Sequence, residues 1–204
     1  MPLEIEVKFL VRDLPALRER LLKAGGVCKR PRLFERNVRY DTPDQALLGR
    51  GELLRLRQDD RALVTFKAEP PELQALSGEA RIREEIEFAV SDAESADTVF
   101  RRLGYHPAQT YEKYRETFTI GPVELVLDEL PFGDFVELEG AEADLKPVAT
   151  QLGLAWEQRL LGNYLGLLHF FNQIYRLNLN DLTFEAFAGV AHRLTPFIKE
   201  ADIP

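Results

Sequence analysis

Residues 3–11, LEIEVKFLV, decide the fold. Leu3, Ile5, Val7 and Phe9 fall on one face and Glu4, Glu6 and Lys8 on the other. This period of two marks a strand with one apolar side. Asp13 then reads as a helix N-cap with Pro15 in the first turn. Leu14, Leu17, Leu21 and Leu22 recur at helical spacing, and Gly25-Gly26 ends the helix. Outward from there, 33–40 (LFERNVRY), 53–58 (LLRLRQ) and 62–68 (ALVTFKA) read as strands. Asp41-Thr42-Pro43-Asp44 is a turn signal, Asp59-Asp60-Arg61 a hairpin turn, and 69–79 a loop.

The pattern then restarts. Residues 80–90 (ARIREEIEFAV) alternate again, and Ser91 with Glu94 forms a capping box before a helix that ends at Gly104. Segments 111–120, 123–130 and 133–139 are strands joined by Gly121-Pro122 and Pro131-Phe132. EIEVKFLV (4–11) is echoed by EIEFAV (85–90), so the order β-α-β-β-β occurs twice and predicts a duplicated unit. Three helical regions follow: 142–152, closed by Gly153; a long apolar 157–177; and a weaker 183–199, broken near Pro196. The expected class is α+β: an eight-stranded, mostly antiparallel, closed β-barrel over 1–140, with outer helices. Residues 141–204 form a helical extension packed on the barrel in the same domain. The apolar 157–177 segment serves as cover for the barrel and also suits a homodimer contact.

Charge places the chemistry. Glu4, Glu6 and Lys8 alternate on one face of their strand, as do Asn37 and Arg39, Arg55 and Arg57, and Arg81, Arg83, Glu85 and Glu87. Lys67, Lys113, Arg115, Asp128, Glu137 and Glu139 continue the pattern. The opposite faces are apolar enough to need helical cover, so the charged faces must point inward. Stability does not ask for this, because each buried ion costs several kcal/mol even after relaxation. A lumen of this kind makes sense as a binding site for a polyanion together with cations. Arg grips phosphate oxygens in bidentate fashion and Lys neutralises them as a point charge. Carboxylates suit Mg²⁺ or Mn²⁺ held partly through a substrate's phosphates.

Composition narrows the partners. Lys plus Arg is 26, Asp plus Glu is 34, and the net charge of −8 disfavours nucleic acid or an anionic membrane as partner. A single cysteine, Cys28, excludes an intramolecular disulfide and a thiolate metal cluster. His106, His169 and His192 lack ligand spacing, so any metal must be held by carboxylates. The N-terminal MPLEIEVKF lacks the apolar core of a signal peptide, and 160–171 is too short and polar to span a bilayer. The expected compartment is the cytoplasm.

The motifs, in order, resemble those of the CYTH domain, or triphosphate tunnel metalloenzyme superfamily. Glu4-Ile5-Glu6-Val7-Lys8 fits E-x-E-x-K, and Asn37 through Pro43 resembles the end of the second strand with its D-T-P turn. Gly51 through Arg57 resembles the L-R-L-R strand, Thr65-Phe66-Lys67 the next, and Arg83-Glu84-Glu85-Ile86-Glu87 fits R-x-E-x-E. Lys113-Tyr114-Arg115 fits K-x-R, and Asp128 through Glu139 fits the closing D…G-x-x-x-E-x-E. Asn163-Tyr164-Leu165 is similar to a late S-Y-x-x-L element, with Asn in place of Ser. The resemblance implies an eight-stranded antiparallel tunnel. It also implies Mg²⁺- or Mn²⁺-dependent hydrolysis of inorganic triphosphate, thiamine triphosphate or nucleoside triphosphates, or, as class IV adenylyl cyclases do, conversion of ATP to cAMP and pyrophosphate.

The expected roles follow. Glu4, Glu6, Asp128, Glu137 and Glu139 are metal ligands. Arg39, Arg55, Arg57, Lys67, Arg83, Lys113 and Arg115 bind the triphosphate. Lys8, Glu85 and Glu87 act in the chemical step, and Arg81 lies on the right face near its strand start. Cys28 is incidental, His106, His169 and His192 are structural or exposed, and Trp156 is a packing residue.

Overall fold

In the computed structural model, which describes residues 3–69 and 78–194, eight strands form a closed barrel. They are β1 (Leu3–Val11), β2 (Val27–Asp41), β3 (Leu53–Gln58), β4 (Ala62–Ala68), β5 (Arg81–Val90), β6 (His106–Ile120), β7 (Val123–Leu130) and β8 (Gly133–Glu139). Around the ring the order is β1-β5-β4-β3-β2-β6-β7-β8, with every neighbouring pair antiparallel. Exchanging β1–β4 with β5–β8 maps this ring onto itself, as expected if one unit had been duplicated.

Two strands are longer than their alternation suggests. β2 starts at Val27 and β6 at His106, and the two pair along nearly their full lengths. Pro31 and Pro107 sit at shifts in this register, where a missing N–H costs no ladder bond. Proline there punctuates a bulge and not a loop.

The helices cover the barrel from outside. Helix α1 (Leu14–Lys23) is capped by the Asp13 carboxylate, which accepts from Ala16 N, and Gly26 N closes its other end on Leu21 O. Leu14, Leu17 and Leu21 join Phe118, Leu125 and Leu138 in one apolar cluster. A single turn, α2 (Ala46–Gly49), lies in the β2–β3 connection. Helix α3 (Ala93–Arg102) is capped by Asp92, one residue after the expected Ser91; the Asp92 carboxylate accepts from Glu94 N and Ser95 N. Its Ala93, Ala96 and Phe100 pack on Val38, Tyr40, Leu56 and Val64. Each unit's first helix thus covers the other unit's hairpin. Helix α4 (Glu142–Gln151) thickens the cover on the α1 side through Leu145, Val148 and Ala149, and Trp156 packs there as expected. On the opposite side Phe88 remains 55% exposed.

The expected continuous helix over 157–177 is broken. A 3₁₀ turn spans Trp156–Gln158, and Leu160 then pairs with Lys8 like a short added strand. Only at Asn163 does α5 (Tyr164–Tyr175) begin. The Asn163 side chain accepts from Gly166 N at 2.8 Å, so Asn fills the capping role open to the family's Ser. Leu167, Leu168 and Phe171 join Leu10, Leu130, Phe132 and Phe135 in a second apolar cluster. Five apolar residues of this helix are buried within the chain, and Ile174 remains exposed. The expected 183–199 helix is absent over the described residues: 184–189 forms turns that end at Gly189 (φ +90°), and 190–194 is irregular. Leu182, Phe187 and Leu194 insert singly into the same cluster. The rest of that segment, and most of the 69–79 loop, lie outside the described residues. No described helix is long and apolar enough to cross a membrane.

Candidate active site

The inward faces enclose a cavity of about 1090 Å³. Every substrate-binding and catalytic residue expected from the sequence lines it, as do Glu4, Glu6, Glu137 and Glu139; Asp128 stands just behind, fully buried. The alternation of each strand achieves this: the i, i+2 charges point in because their apolar neighbours are claimed by the outer helices.

The charges form connected groups. In the first, Asp128 accepts from Lys113 Nζ (3.0 Å), Arg115 Nε (2.6 Å) and the Tyr164 hydroxyl (2.8 Å). Arg115 also reaches Glu137 at 2.6 Å, and Glu137 meets Lys8 at 2.8 Å. Lys8 further stands 4.7 Å above the Tyr164 ring. Burial pushes Glu137 up, but Lys8, Arg115 and Lys113 overcome this and hold it well below the usual carboxylate range. Burial also drives the Tyr164 hydroxyl well up, with Asp128 adding to the shift.

In the second group, Glu4 accepts from Lys67 at 2.6 Å, and Arg83 bridges Glu4 (3.0 Å) and Glu6 (2.7 Å). Lys67 also holds Glu85 at 3.1 Å. Burial pushes Glu4 up, yet Lys67 and Arg83 bring it down to about 2. Glu4 Oε2 is close to Arg83 but off any hydrogen-bond direction. Glu139 stands at the rim, opposite Glu6 and Glu124 in the strand registers. Desolvation, with Glu4 nearby, pushes it up to about 7, although its side chain still reaches solvent. Burial also raises Glu85. Negative charge is therefore in excess on this side.

A third group joins Arg55 and Arg57 to Glu87 at 3.5 and 3.1 Å, with Thr65 bonded to both Arg55 and Glu87. Arg39 stands apart, donating to Asp41 (2.7 Å) and Gln109 (3.2 Å). Arg81 pairs with Glu69 at the rim. Cys28 is exposed and away from the cavity.

Two buried charged residues were missed by sequence reasoning, and Glu52, Glu69 and Glu124 also line the cavity. Glu35 is buried 3.7 Å from Lys113 and 3.9 Å from Arg57. Burial pushes its carboxyl up, and Lys113, Arg115, Arg57 and Arg55 outweigh this and hold it at about 2. Asp41 accepts from three backbone N–H groups as well as from Arg39. Both were legible: Glu35 and Asp41 share the face of Asn37 and Arg39 in the same strand. With them the buried acids and bases, five and six in number, come close to balance.

The CYTH domain family model matches residues 2–157. The chain belongs to the CYTH family. Its relatives include a candidate adenylate cyclase of Methanocaldococcus jannaschii, 28% identical over 145 residues (70% of this chain, 79% of that protein). The adenylate cyclase CyaB of Aeromonas hydrophila is 27% identical over 166 residues (76% and 83%). Among solved structures, a candidate adenylate cyclase from Vibrio parahaemolyticus superposes with a TM-score of 0.71 at 23% identity, covering 81% of this chain and 97% of that one. A Hippeastrum protein described as a candidate adenylyl cyclase with a dominant triphosphatase activity does so at 0.56 and 17%, covering 88% and 98%. At these identities the solved structures speak to the fold alone, which they share. CYTH tunnel proteins are enzymes that act on triphosphates with divalent metal ions.

The donor set fits such an ion in kind. Among the described residues no three carboxylates already stand as a ligand cluster, and the lumen acids other than Glu139 and Glu124 are tied to bases. The excess charge around Glu4, Glu85 and Glu139, and the Glu4 oxygen without a hydrogen bond, are what a hard cation would relieve.

Proposed function

We propose that this CYTH protein hydrolyses a triphosphate (inorganic triphosphate, thiamine triphosphate or a nucleoside triphosphate) inside its tunnel, with Mg²⁺ or Mn²⁺. The single observation behind this reading is the paired state of the lumen. A triphosphate entering alone would break Arg and Lys away from their carboxylates and leave buried acids uncompensated. A triphosphate entering with a divalent ion offers each side a new partner: phosphate oxygens for the bases, the metal for the acids.

In this reading Arg55, Arg57, Lys67, Arg83, Lys113 and Arg115 bind the phosphates, with Arg39 at the edge. Glu4, Glu6, Glu137 and Glu139 would hold the ion, while Asp128, saturated by Lys113, Arg115 and Tyr164, orients the bases. When bound, the ion offsets charge building on the phosphate oxygens. Glu85, with its carboxyl raised, would take the proton of the attacking water as its oxygen bonds to phosphorus and the bridging P–O bond breaks. Glu87 would hold Arg55 and Arg57 in place, and Lys8, raised by Glu137 and Glu6 against the opposing effect of burial, would stay charged beside the departing oxyanion. The substrate is a small molecule in the cytoplasm, with neither nucleic acid nor membrane involved. The test is phosphate release from tripolyphosphate with Mg²⁺. A folded Glu4→Ala/Glu6→Ala variant should lose it, and wild-type turnover in that variant would refute the proposal.

The names of the relatives support a second reading, an adenylyl cyclase. The ribose 3′-hydroxyl would then attack the α-phosphorus and pyrophosphate would leave. Chromatography after incubation with ATP and Mn²⁺ separates the two: ADP for the triphosphatase, cAMP for the cyclase.

A further inference from the structure

The duplicated frame has one conspicuous departure. The β6–β7 connection is the two-residue turn 121–122, whereas its counterpart between β2 and β3 is the loop 42–52, carrying α2. This loop is clamped from beneath. The Asp41 carboxylate accepts from Thr42 N (2.9 Å), Leu47 N (2.9 Å) and Leu48 N (3.1 Å), and Thr42 Oγ1 accepts from Ala46 N (2.9 Å). Arg39, whose head lies in the lumen, ties the same carboxylate to the charged site at 2.7 Å. The loop is a fixed wall and not a slack insertion.

That wall differs chemically from the lumen. Gln45 faces the cavity from a left-handed backbone (φ 56°, ψ 41°), which a non-glycine residue seldom adopts. Among the described residues its side chain makes no hydrogen bond. Beside it Leu48 lines the cavity while 54% exposed. The cavity is further lined by His106 and Gln109 at the start of β6 and by His169 midway along α5; Gln109 already accepts from Arg39 and donates to Asn180 O, and His169 meets Gln173 at 3.0 Å. The one other charge on the loop's cavity side, Glu52, is already paired with Arg50 at 2.7 Å. The Gln45 amide, the His106 imidazole and an exposed Leu next to a field of Arg and Lys suit an uncharged ring with a hydrogen-bonding edge, attached to a polyanion.

We infer that the 42–52 loop, through Gln45 and Leu48, is the specificity element for the organic group of the substrate, and that this group is a nucleobase. The inference rests on the triphosphate reading and narrows it to nucleoside triphosphates over bare tripolyphosphate. Gln45 would read the ring edge and Leu48 would pack on its face.

The experiment compares kcat/KM for ATP, GTP, CTP and tripolyphosphate, each followed as loss of the triphosphate whatever the product. It uses the wild-type protein, Gln45→Gly and Leu48→Asp. Gln45→Gly suits the left-handed backbone and so does not threaten folding. The expected result is a wild-type preference of at least ten-fold for one nucleoside triphosphate over tripolyphosphate, which falls at least ten-fold in both variants. Tripolyphosphate used as well as the best nucleotide, or an unchanged preference in both variants, would overturn the inference and leave the triphosphatase reading intact. Failure to bind or turn over any triphosphate would overturn both.

Discussion

The two ends of the lumen's charge network behave in opposite ways. Around Asp128 and Glu137, acids and bases meet in full, with Lys8, Lys113, Arg115 and Tyr164 all engaged. Around Glu4, Glu85 and Glu139, carboxylates outnumber the bases that reach them, and two of the three have raised pKa values. Acidic groups spaced alike along a strand therefore have different consequences, set by what stands opposite. The first region is balanced in charge, and the second is short of positive charge.

Neutralising one acid in each region should separate them. Glu137→Gln leaves Lys8 and Arg115 without their shared partner inside the protein, and should cost about 3–5 kcal/mol in a denaturant melt. A change below about 1 kcal/mol would mean that solvent already screens this group.

A second effect, nearly as large, belongs to Glu35. Its folded carboxyl titrates at about 2 against an ordinary 4.5, so its contribution is fully present above pH 4.5 and is lost as the pH falls toward 2. That corresponds to roughly 3 kcal/mol. Melting of the metal-free protein across this window should be steeper in wild type than in Glu35→Gln, and identical slopes would count against the assignment.

Tyr164→Phe removes one donor from Asp128 while keeping the ring under Lys8. The expected loss is about 1–2 kcal/mol, with the larger change in kcat and not in fold. The smallest effect has the opposite sign. Glu139 is penalised when charged, so Glu139→Gln should stabilise the metal-free protein at pH 8, by about 1 kcal/mol after screening by solvent, and the gain should vanish near pH 4. The same change should weaken Mg²⁺ binding. Destabilisation at pH 8 would mean that the rim is not short of positive charge.

Much of this was legible in the sequence, and the exceptions have physical causes. The inward charges of β1, β3, β5 and β8 followed from strict alternation with apolar neighbours. β2 and β6 were underestimated because Pro31 and Pro107 look like loop signals until the partner strand supplies a register shift that tolerates them. Glu35 lies inside the 33–40 strand read from the sequence, two residues before Asn37, but was not counted among its inward charges. The helix over 157–177 failed because Leu160 finds a strand partner in Lys8, a long-range contact invisible to local periodicity. Pairings such as Lys67 with Glu4 and Arg83 with Glu6 join residues 63 and 77 positions apart, so the division into a balanced and an acid-rich side needed the closed barrel.

Isothermal titration of tripolyphosphate, with and without saturating Mg²⁺ and against the metal titrated alone, tests the paired lumen most directly. The account expects each ligand to tighten the other by at least about ten-fold, or 1.4 kcal/mol of reciprocal coupling beyond what the Mg²⁺–tripolyphosphate complex contributes in solution. Additive binding, with tripolyphosphate equally tight in the absence of the ion, would contradict it.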